Sequence, residues 1–417
     1  MDIQITPARL HGAVTPPPSK SQAHRLIIAA ALADGTSHIS NVAFSQDIEA
    51  TIRCMEALGA GFLRAGDTLQ IRGVFAEGRR PAFRELPRFD CGESGSTLRF
   101  LIPIALAVAG GGIFTGRGRL MQRPQTPYFQ LFRERGIACE QTDGALTVRG
   151  RLTPGEYRLP GDVSSQFFTG LLYALPLLDG ASRVISTTPL ESAGYLDMTC
   201  QALRLAGVAI EERRSEAGAW NDFFISAPAV CRPVQCRVEA DWSQAAFYYA
   251  AVGIGNDVEL RGMPEGSAQG DRVIVPCFRR LCGGGPVTLD VRQCPDLVPA
   301  LALQAALRSG EMTEIVGAAR LRIKESDRLD TVTTQLNRLG ACIEQGPDRL
   351  AIRGVPSLHG GSADSCNDHR IAMMLAMAAT RADGPVLIRG AGSVAKSYPD
   401  FWQVYSSLGG KIQEVLL

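Results

Sequence analysis

Internal repetition constrains this chain more than any other feature. An amphipathic helix closing on Leu-Gly-Ala or a close variant, then a strand, a polar turn and a second strand, recurs along it. Leu58-Gly59-Ala60 leads into Leu69-Gln70-Ile71-Arg72-Gly73, and Leu339-Gly340-Ala341 leads into Leu350-Ala351-Ile352-Arg353-Gly354. Weaker copies follow Arg135-Gly136-Ile137, Ala206-Gly207-Val208, Leu281-Cys282-Gly283 and Leu408-Gly409-Gly410. The glycine after each helix supplies a left-handed stop. Copies at intervals of roughly 55 to 80 residues mark a repeat architecture, so the chain folds as multiples of one α/β unit.

Each unit carries a second helix that is apolar nearly all round. The pattern predicts these helices over 22–33, 97–109, 166–178, 244–253, 298–307 and 370–379. A helix without a polar face has to be buried. Each opens on a short polar cluster: Ser19-Lys20-Ser21, Ser94-Gly95-Ser96, Ser164-Ser165, Asp241-Trp242-Ser243, Pro295-Asp296 and Asn367-Asp368-His369. Taken singly, each is an ordinary N-cap. Taken together, three N-termini from each half pointing into one cleft would attract anions strongly. Three units per half predict two lobes. We place one over 18–237 and the other, discontinuous, over 1–17 plus 238–417. Pro16-Pro17-Pro18 and Arg232-Pro233-Val234-Gln235 serve as the crossings, and a strand over 2–13 joins the second lobe.

Composition removes several classes of function. The 43 basic residues balance 42 acidic ones, so there is no general nucleic-acid footprint. No apolar run reaches the roughly 18 residues of a membrane span. No signal peptide is visible at Met1-Asp2-Ile3-Gln4, and a cytoplasmic location is expected. Eleven scattered cysteines without a Cys-x-x-Cys pair read as reduced thiols, with no disulfide framework and no zinc site. Only four of the basic residues are lysine: Lys20, Lys324, Lys396 and Lys411. In a chain so biased to arginine, they are candidates for work that needs a compact, titratable ammonium.

Several motifs carry anion chemistry. Lys20, Ser21 and Arg25 lie within one turn of a helix start, suiting phosphate or carboxylate. Asp90-Cys91-Gly92-Glu93-Ser94-Gly95-Ser96-Thr97-Leu98-Arg99 is a glycine-bearing turn, but it lacks the Gly-Lys-Ser/Thr ending of a Walker loop. A basic loop over 117–123 follows, ending in Arg123-Pro124. Ser164, Ser165 and Gln166 offer hydroxyls and an amide, and Ser192 and Tyr195 add a hydroxyl and an aromatic platform. The second half holds the acid–base candidates. Lys324, Glu325 and Arg328 are expected on neighbouring faces of one helix start, with Asp296, Asn367-Asp368-His369-Arg370 and Ala395-Lys396-Ser397 nearby.

In this order these strings resemble the 5-enolpyruvylshikimate-3-phosphate synthase family of enolpyruvyl transferases, across essentially the whole chain. The resemblance implies a two-lobed inside-out α/β barrel of six units around buried parallel helices, with the active site in the inter-lobe cleft. It implies transfer of the enolpyruvyl group of phosphoenolpyruvate to the 5-hydroxyl of shikimate 3-phosphate, releasing phosphate through a tetrahedral intermediate, on the shikimate pathway to aromatic amino acids. No metal or organic cofactor is implied, nor any nucleic-acid or membrane partner, and a monomer is expected. Carried over residue by residue, shikimate 3-phosphate falls to Lys20, Ser21, Arg25, Ser164, Ser165, Gln166, Ser192, Tyr195, Asp296 and Lys324. Phosphoenolpyruvate falls to Lys20, Gly95, Arg123, Gln166, Arg328, Arg370 and Lys396. Asp296 is the base for the hydroxyl and Glu325 the proton carrier at carbon, and Lys20 shares in the proton traffic. The cations beside Glu325 work against its holding a proton. Glu93 stands where the family usually has asparagine, and Arg320 where some members have asparagine. Two other readings remain, a transferase acting on UDP-N-acetylglucosamine and an RNA 3′-terminal phosphate cyclase. The first carries a reactive cysteine in the loop that here spans 116–123 and has none. The second needs a nucleophilic histidine, for which His369 is the one placed in a polar cluster.

Overall fold

The computed structural model describes residues 1–79, 81–214 and 221–415. They form two compact units, Lys20–Glu239 and Met1–Ser19 with Ala240–Leu417. In the first, helices alternate between buried and half-exposed: α1 (Lys20–Ala31), α2 (Gln46–Ala57), α3 (Gly95–Ala109), α4 (Thr126–Glu134), α5 (Ser165–Ala174) and α6 (Ala193–Leu205). The odd-numbered members are the apolar ones. Ile27 to Ala33 on and just beyond α1, Leu98 to Ala105 on α3 and Phe167 to Ala174 on α5 have almost no exposed surface. Aliphatic side chains on every face leave such a helix no side to turn to water. The second unit repeats the alternation with α7 (Trp242–Gly253), α8 (Ile274–Cys282), α9 (Val298–Ala306), α10 (Arg328–Arg338), α11 (His369–Ala379) and α12 (Phe401–Ser407).

The buried helices α3, α5, α9 and α11 each cross between two parallel strands, and the outer helices α2, α4, α6 and α10 each lead into a hairpin. Arg88–Asp90, Gly111–Thr115, Ala145–Arg149 and Ala138–Gln141 are neighbours in that order, the first pair parallel and the rest antiparallel. The same order recurs in Glu156–Leu159, Ser182–Ser186, Asn221–Ile225 and Ile210–Arg214, and in Val287–Asp290, Met312–Val316, Leu350–Arg353 and Cys342–Gln345. Three of the described sheets pair strands from far apart along the chain, one of them His11–Val14 with Asp257–Leu260. Gln235–Arg237 supplies the outer strand beside Thr36–Ser40. Asp2–Thr6 lies between Val386–Arg389 and Lys411–Val415.

The fourth repeat departs from expectation. After Leu281-Cys282-Gly283 no hairpin follows; the chain runs directly into Val287–Asp290, the first strand of the next repeat. Its sheet has two described strands, Asp257–Leu260 parallel to His11–Val14. The strand expected over 2–13 is therefore two strands, Asp2–Thr6 and His11–Val14, in different sheets. Pro7 stands at the break, where a ring without an N–H ends a ladder. The helix expected over 166–178 is α-helical only to Ala174 and ends in a 3-10 turn, Leu175–Leu177, around Pro176.

The repeated Arg-Gly ending of the hairpin has a steric cause. Gly73 N–H donates to Gly35 O at 2.9 Å, and Gly354 N–H to Glu311 O at 2.9 Å. A Cβ at Gly73 would overlap the Ala33 carbonyl, and one at Gly354 the Arg308 carbonyl. Each hairpin closes directly onto the end of its buried helix, and only glycine admits that approach.

Candidate active site

In the unit Lys20–Glu239, the polar clusters lie at the starts of the buried helices. Ser94 Oγ accepts the Thr97 N–H at 3.2 Å and caps α3. Ser164 Oγ accepts the Gln166 N–H at 3.3 Å and caps α5. The capping role of these serines is thus real, and it aims helix N–H groups at the same end where the motifs cluster. Ser192 differs: it precedes α6 with φ 59° and makes no cap bond.

Arg25 is buried on α1. It donates to Ser21 O at 2.7 Å, Tyr195 O at 3.0 Å and Thr199 Oγ1 at 2.9 Å, and sits 5.7 Å from the Tyr195 ring centre. Among the described residues no carboxylate pairs with it. Burial lowers its guanidinium to about 10, the Tyr173 and Tyr195 hydroxyls acting the other way. A buried cation held by neutral oxygens is set to receive an anion. Lys20 Nζ pairs with Asp47 on α2 at 2.7 Å. Arg123 lies over Gly95, where an added Cβ would come within 2.5 Å of its Nη1. Gln166 bridges α5 to α3: its Oε1 accepts from Arg99 at 2.9 Å and its Nε2 donates to Ser96 at 3.0 Å. Ser165 is buried in the first turn of α5. The structure thus joins Ser21, Arg25 and Tyr195, and Gly95 with Arg123. Glu93 lies against the loop that carries Arg123, its carboxylate where a Cβ on Gly118 would fall.

The other unit gathers its candidates into one charged network. Asp296 occupies a 3-10 turn, Pro295–Leu297, ahead of α9. Its carboxylate meets Arg328 at 2.9 Å, Arg370 at 3.0 Å and Lys324 at 3.3 Å. Arg328 also donates to Glu325 at 2.8 Å and, through Nε, to Asp368 at 2.7 Å. Asp368 in turn accepts from Ser326 at 3.0 Å and caps α11 through the Arg370 N–H at 3.0 Å. Lys396 is buried and donates to Asn367 O at 2.6 Å, next to Asp368 in sequence. One expectation needs correction. Lys324 and Glu325 do not share a helix face with Arg328. A 3-10 turn ends at Ile323, α10 starts at Arg328 behind its cap Asp327, and 324–326 form the bend between them. The bend brings Lys324 and Glu325 to Asp296 and Arg328 by a route that helical spacing does not describe.

Burial disfavours the Arg328 charge, but Asp368, Glu325 and Asp296 together outweigh it and raise the guanidinium. Burial would raise Asp368, and the Arg328 charge overrides it to hold the carboxyl below the usual range. Lys324 is lowered, by burial first, with Asp296 opposing. In the same unit Asp271 is buried, accepts from the Ser243 hydroxyl, and is pushed up to about 6 by burial and then by the Asp296 charge.

Sequence reasoning missed Asp47, Asp271 and Asp368 as partners of the expected groups. Asp368 lies inside the Asn367-Asp368-His369-Arg370 cluster; Asp47 and Asp271 are ordinary helix-start acids whose importance comes from residues distant in sequence. All eleven cysteines are free thiols. Among the described residues no helix is long and apolar enough to cross a membrane, and no group of three or more His, Cys, Asp or Glu side chains is placed to hold a metal ion.

The sequence model of the EPSP synthase (3-phosphoshikimate 1-carboxyvinyltransferase) family matches residues 5–405. A protein of Clostridium kluyveri named 3-phosphoshikimate 1-carboxyvinyltransferase is 42% identical, over 99% of this chain and 98% of its own. One of the same name from Clostridioides difficile is also 42% identical, with the same coverage. Among solved structures, an EPSP synthase from Acinetobacter baumannii superposes with a TM-score of 0.79 at 24% identity, covering 99% of this chain and all of that one. The enolpyruvyl transferase NikO from Streptomyces tendae gives 0.76 at 19% identity, covering 99% of this chain and 98% of its own. These two likenesses show the fold, the two-lobed inside-out α/β architecture that the family resemblance implies. With the sequence match running through every repeat and every polar cluster described above, the chain belongs to the EPSP synthase family.

Proposed function

We propose that the two charged clusters bind phosphoenolpyruvate and shikimate 3-phosphate and move the protons of the family's reaction. That reaction transfers the enolpyruvyl group of phosphoenolpyruvate to the 5-hydroxyl of shikimate 3-phosphate and releases phosphate. Lys20, Ser21, Arg25, Ser164, Ser165, Gln166, Ser192 and Tyr195 hold shikimate 3-phosphate, with Asp296 and Lys324. Lys20, Gly95, Arg123, Gln166, Arg328, Arg370 and Lys396 hold phosphoenolpyruvate. The unit 20–239 thus supplies most contacts to shikimate 3-phosphate, and the other unit supplies the acid–base groups. The enzyme acts as a monomer in the cytoplasm without a cofactor.

The observation that carries this reading is the setting of Asp296: one carboxylate with Lys324, Arg328 and Arg370 within 3.3 Å. Without substrate, these cations are neutralised by Asp296, Glu325 and Asp368. Phosphate and carboxylate groups of a substrate compete for Arg328, Arg370 and Lys324, and so release Asp296 to take the proton of the attacking hydroxyl. Glu325, likewise freed from Arg328, takes up a proton from solvent, delivers it to the methylene carbon to give the tetrahedral intermediate, and takes a proton back from that carbon as phosphate leaves. Lys20, paired with Asp47 at 2.7 Å, neutralises charge at both substrates. The test is phosphate release from phosphoenolpyruvate with shikimate 3-phosphate, with UDP-N-acetylglucosamine, or with no acceptor. Release with shikimate 3-phosphate alone is expected. Release with the nucleotide sugar instead would overturn the acceptor, and release that needs ATP and RNA would overturn the reaction.

A further inference from the structure

Two polar rungs join α1 to α2. Lys20 and His24 are one helical turn apart on α1, and Asp47 and Thr51 are one turn apart on α2, so each pair shares a face. Lys20 bonds Asp47 at 2.7 Å, and His24 Nδ1 lies 2.7 Å from Thr51 Oγ1. The second rung continues into α3. Thr51 Oγ1 is 2.7 Å from Thr97 Oγ1, and Thr97 Oγ1 donates to Ser94 Oγ at 2.8 Å. All four side chains are buried.

Counting hydrogens gives the chain a direction. Thr97 uses its one hydroxyl hydrogen on Ser94, so Thr51 donates to Thr97. Thr51 then has only a lone pair to offer His24, which requires the imidazole hydrogen on Nδ1. Nε2 is left as a bare acceptor, and it is a buried atom without a hydrogen-bond partner. Burial, then the charges of Lys20 and Arg25, push the ring well below its ordinary value, and the Phe100 ring lies edge-on to it at 6.5 Å. An imidazolium would carry a second N–H with no acceptor; the neutral ring suits the place.

We propose that His24, Thr51 and Thr97 are positioning residues. They form a one-way hydrogen-bond relay that fixes the Gly95 turn at the start of α3 against the Lys20 end of α1. The inference rests on the reading above, in which Lys20 and Gly95 touch phosphoenolpyruvate. None of the three side chains needs to reach a substrate. The relay acts through Ser94, whose oxygen receives both the hydroxyl and the amide of Thr97 and which precedes Gly95, the residue against which Arg123 packs.

Two measurements test it. Nitrogen NMR of the full-length protein, with His24 assigned by comparison with His24→Gln, is expected to show a neutral Nδ1–H ring that does not titrate from about pH 5.5 to 8. An Nε2–H tautomer, or titration near the ordinary histidine value, overturns the relay. In kinetics, Thr51→Val is expected to raise KM for phosphoenolpyruvate about tenfold while KM for shikimate 3-phosphate stays within about twofold. Thr51→Ser, which restores the hydroxyl, is expected to bring phosphoenolpyruvate KM back to within about twofold of the parent. A fall in melting temperature with both KM values unchanged, or equal changes in both, would make the chain structural only. The NMR result needs no substrate. If the parent enzyme fails to release phosphate from phosphoenolpyruvate, the proposed reaction fails, and the relay is still decided by the tautomer.

Discussion

Asp271 lets the charge arrangement of the acid–base unit be read as a pH-dependent stability. It sits in the 3-10 turn before α8, buried, with the Ser243 hydroxyl as donor. Burial and the charges of Asp296 and Asp241 disfavour its ionised form, and the Ser243 hydrogen bond and Arg370 favour it. Its carboxyl is pushed up to about 6, against about 3.9 in an unfolded chain. The folded state therefore holds the proton more tightly. No penalty exists below about pH 3.9; stability falls as pH rises from there to about 6, and the full penalty applies above. Moving a carboxyl across that interval corresponds to about 3 kcal/mol. Asp271→Asn removes the charge and keeps an acceptor for Ser243. The variant is expected to match the parent near pH 4 and to exceed it by about 2–3 kcal/mol near pH 8. Urea unfolding at both pH values measures this, read from the transition of the unit that contains Asp271 with its m-value unchanged. A difference that does not vary with pH, or a variant less stable at pH 8, would refute the reasoning.

The lysines give a second expectation. Lys20→Arg, Lys324→Arg and Lys396→Arg each lower kcat/KM at least about tenfold, because a guanidinium fork does not fit where a point charge bonds Asp47, Asp296 or the Asn367 carbonyl. Lys411→Arg, in an edge strand, leaves kcat/KM unchanged. Glu93→Asn lowers KM for phosphoenolpyruvate, since it removes a negative charge from the turn that precedes Gly95; an unchanged or higher KM would mean that Glu93 does not face that substrate. Gly354→Ala costs at least about 3 kcal/mol in thermal unfolding, because its Cβ would overlap the Arg308 backbone and no side chain can yield.

Much of this was legible in the sequence, for identifiable reasons. The buried helices announced themselves because aliphatic residues on all faces admit one environment, and most of their bounds fall within two residues of the expected ones. The hairpins were legible through Leu69-Gln70-Ile71-Arg72-Gly73 and its copy at 350–354, whose glycines meet a local steric demand. The hairpin expected after Gly283 was not there, because a helix stop is a local signal and says nothing about what the next strand pairs with. The site divides in the same way. Caps such as Ser94, Ser164 and Asp368 depend on neighbours two or three residues away and were visible. The pairing of Lys20 with Asp47, and the bend that carries Lys324 and Glu325 to Asp296 and Arg328, depend on how helices pack, and no periodicity encodes them. Asp271 reads as an ordinary turn acid until its burial is known.

The borrowed strands impose an order on synthesis. Ile3 pairs with Ile388 and with Glu414, so Asp2–Thr6 leaves the ribosome long before either of the strands it lies between. At about 5–20 residues per second it stays without its partners for roughly 20 to 80 seconds. The sheets of the inserted unit take all their described strands from Thr36–Ser40 through Gln235–Arg237. That unit can close before the residues after Glu239 have been made. Its own outermost strand, Gln235–Arg237, is the last piece of it to emerge, so the unit stays open along one edge until then. The nascent chain thus matures from the inside outward, and a waiting Asp2–Thr6 edge is the segment on which a chaperone, or a mispaired neighbour, would act first.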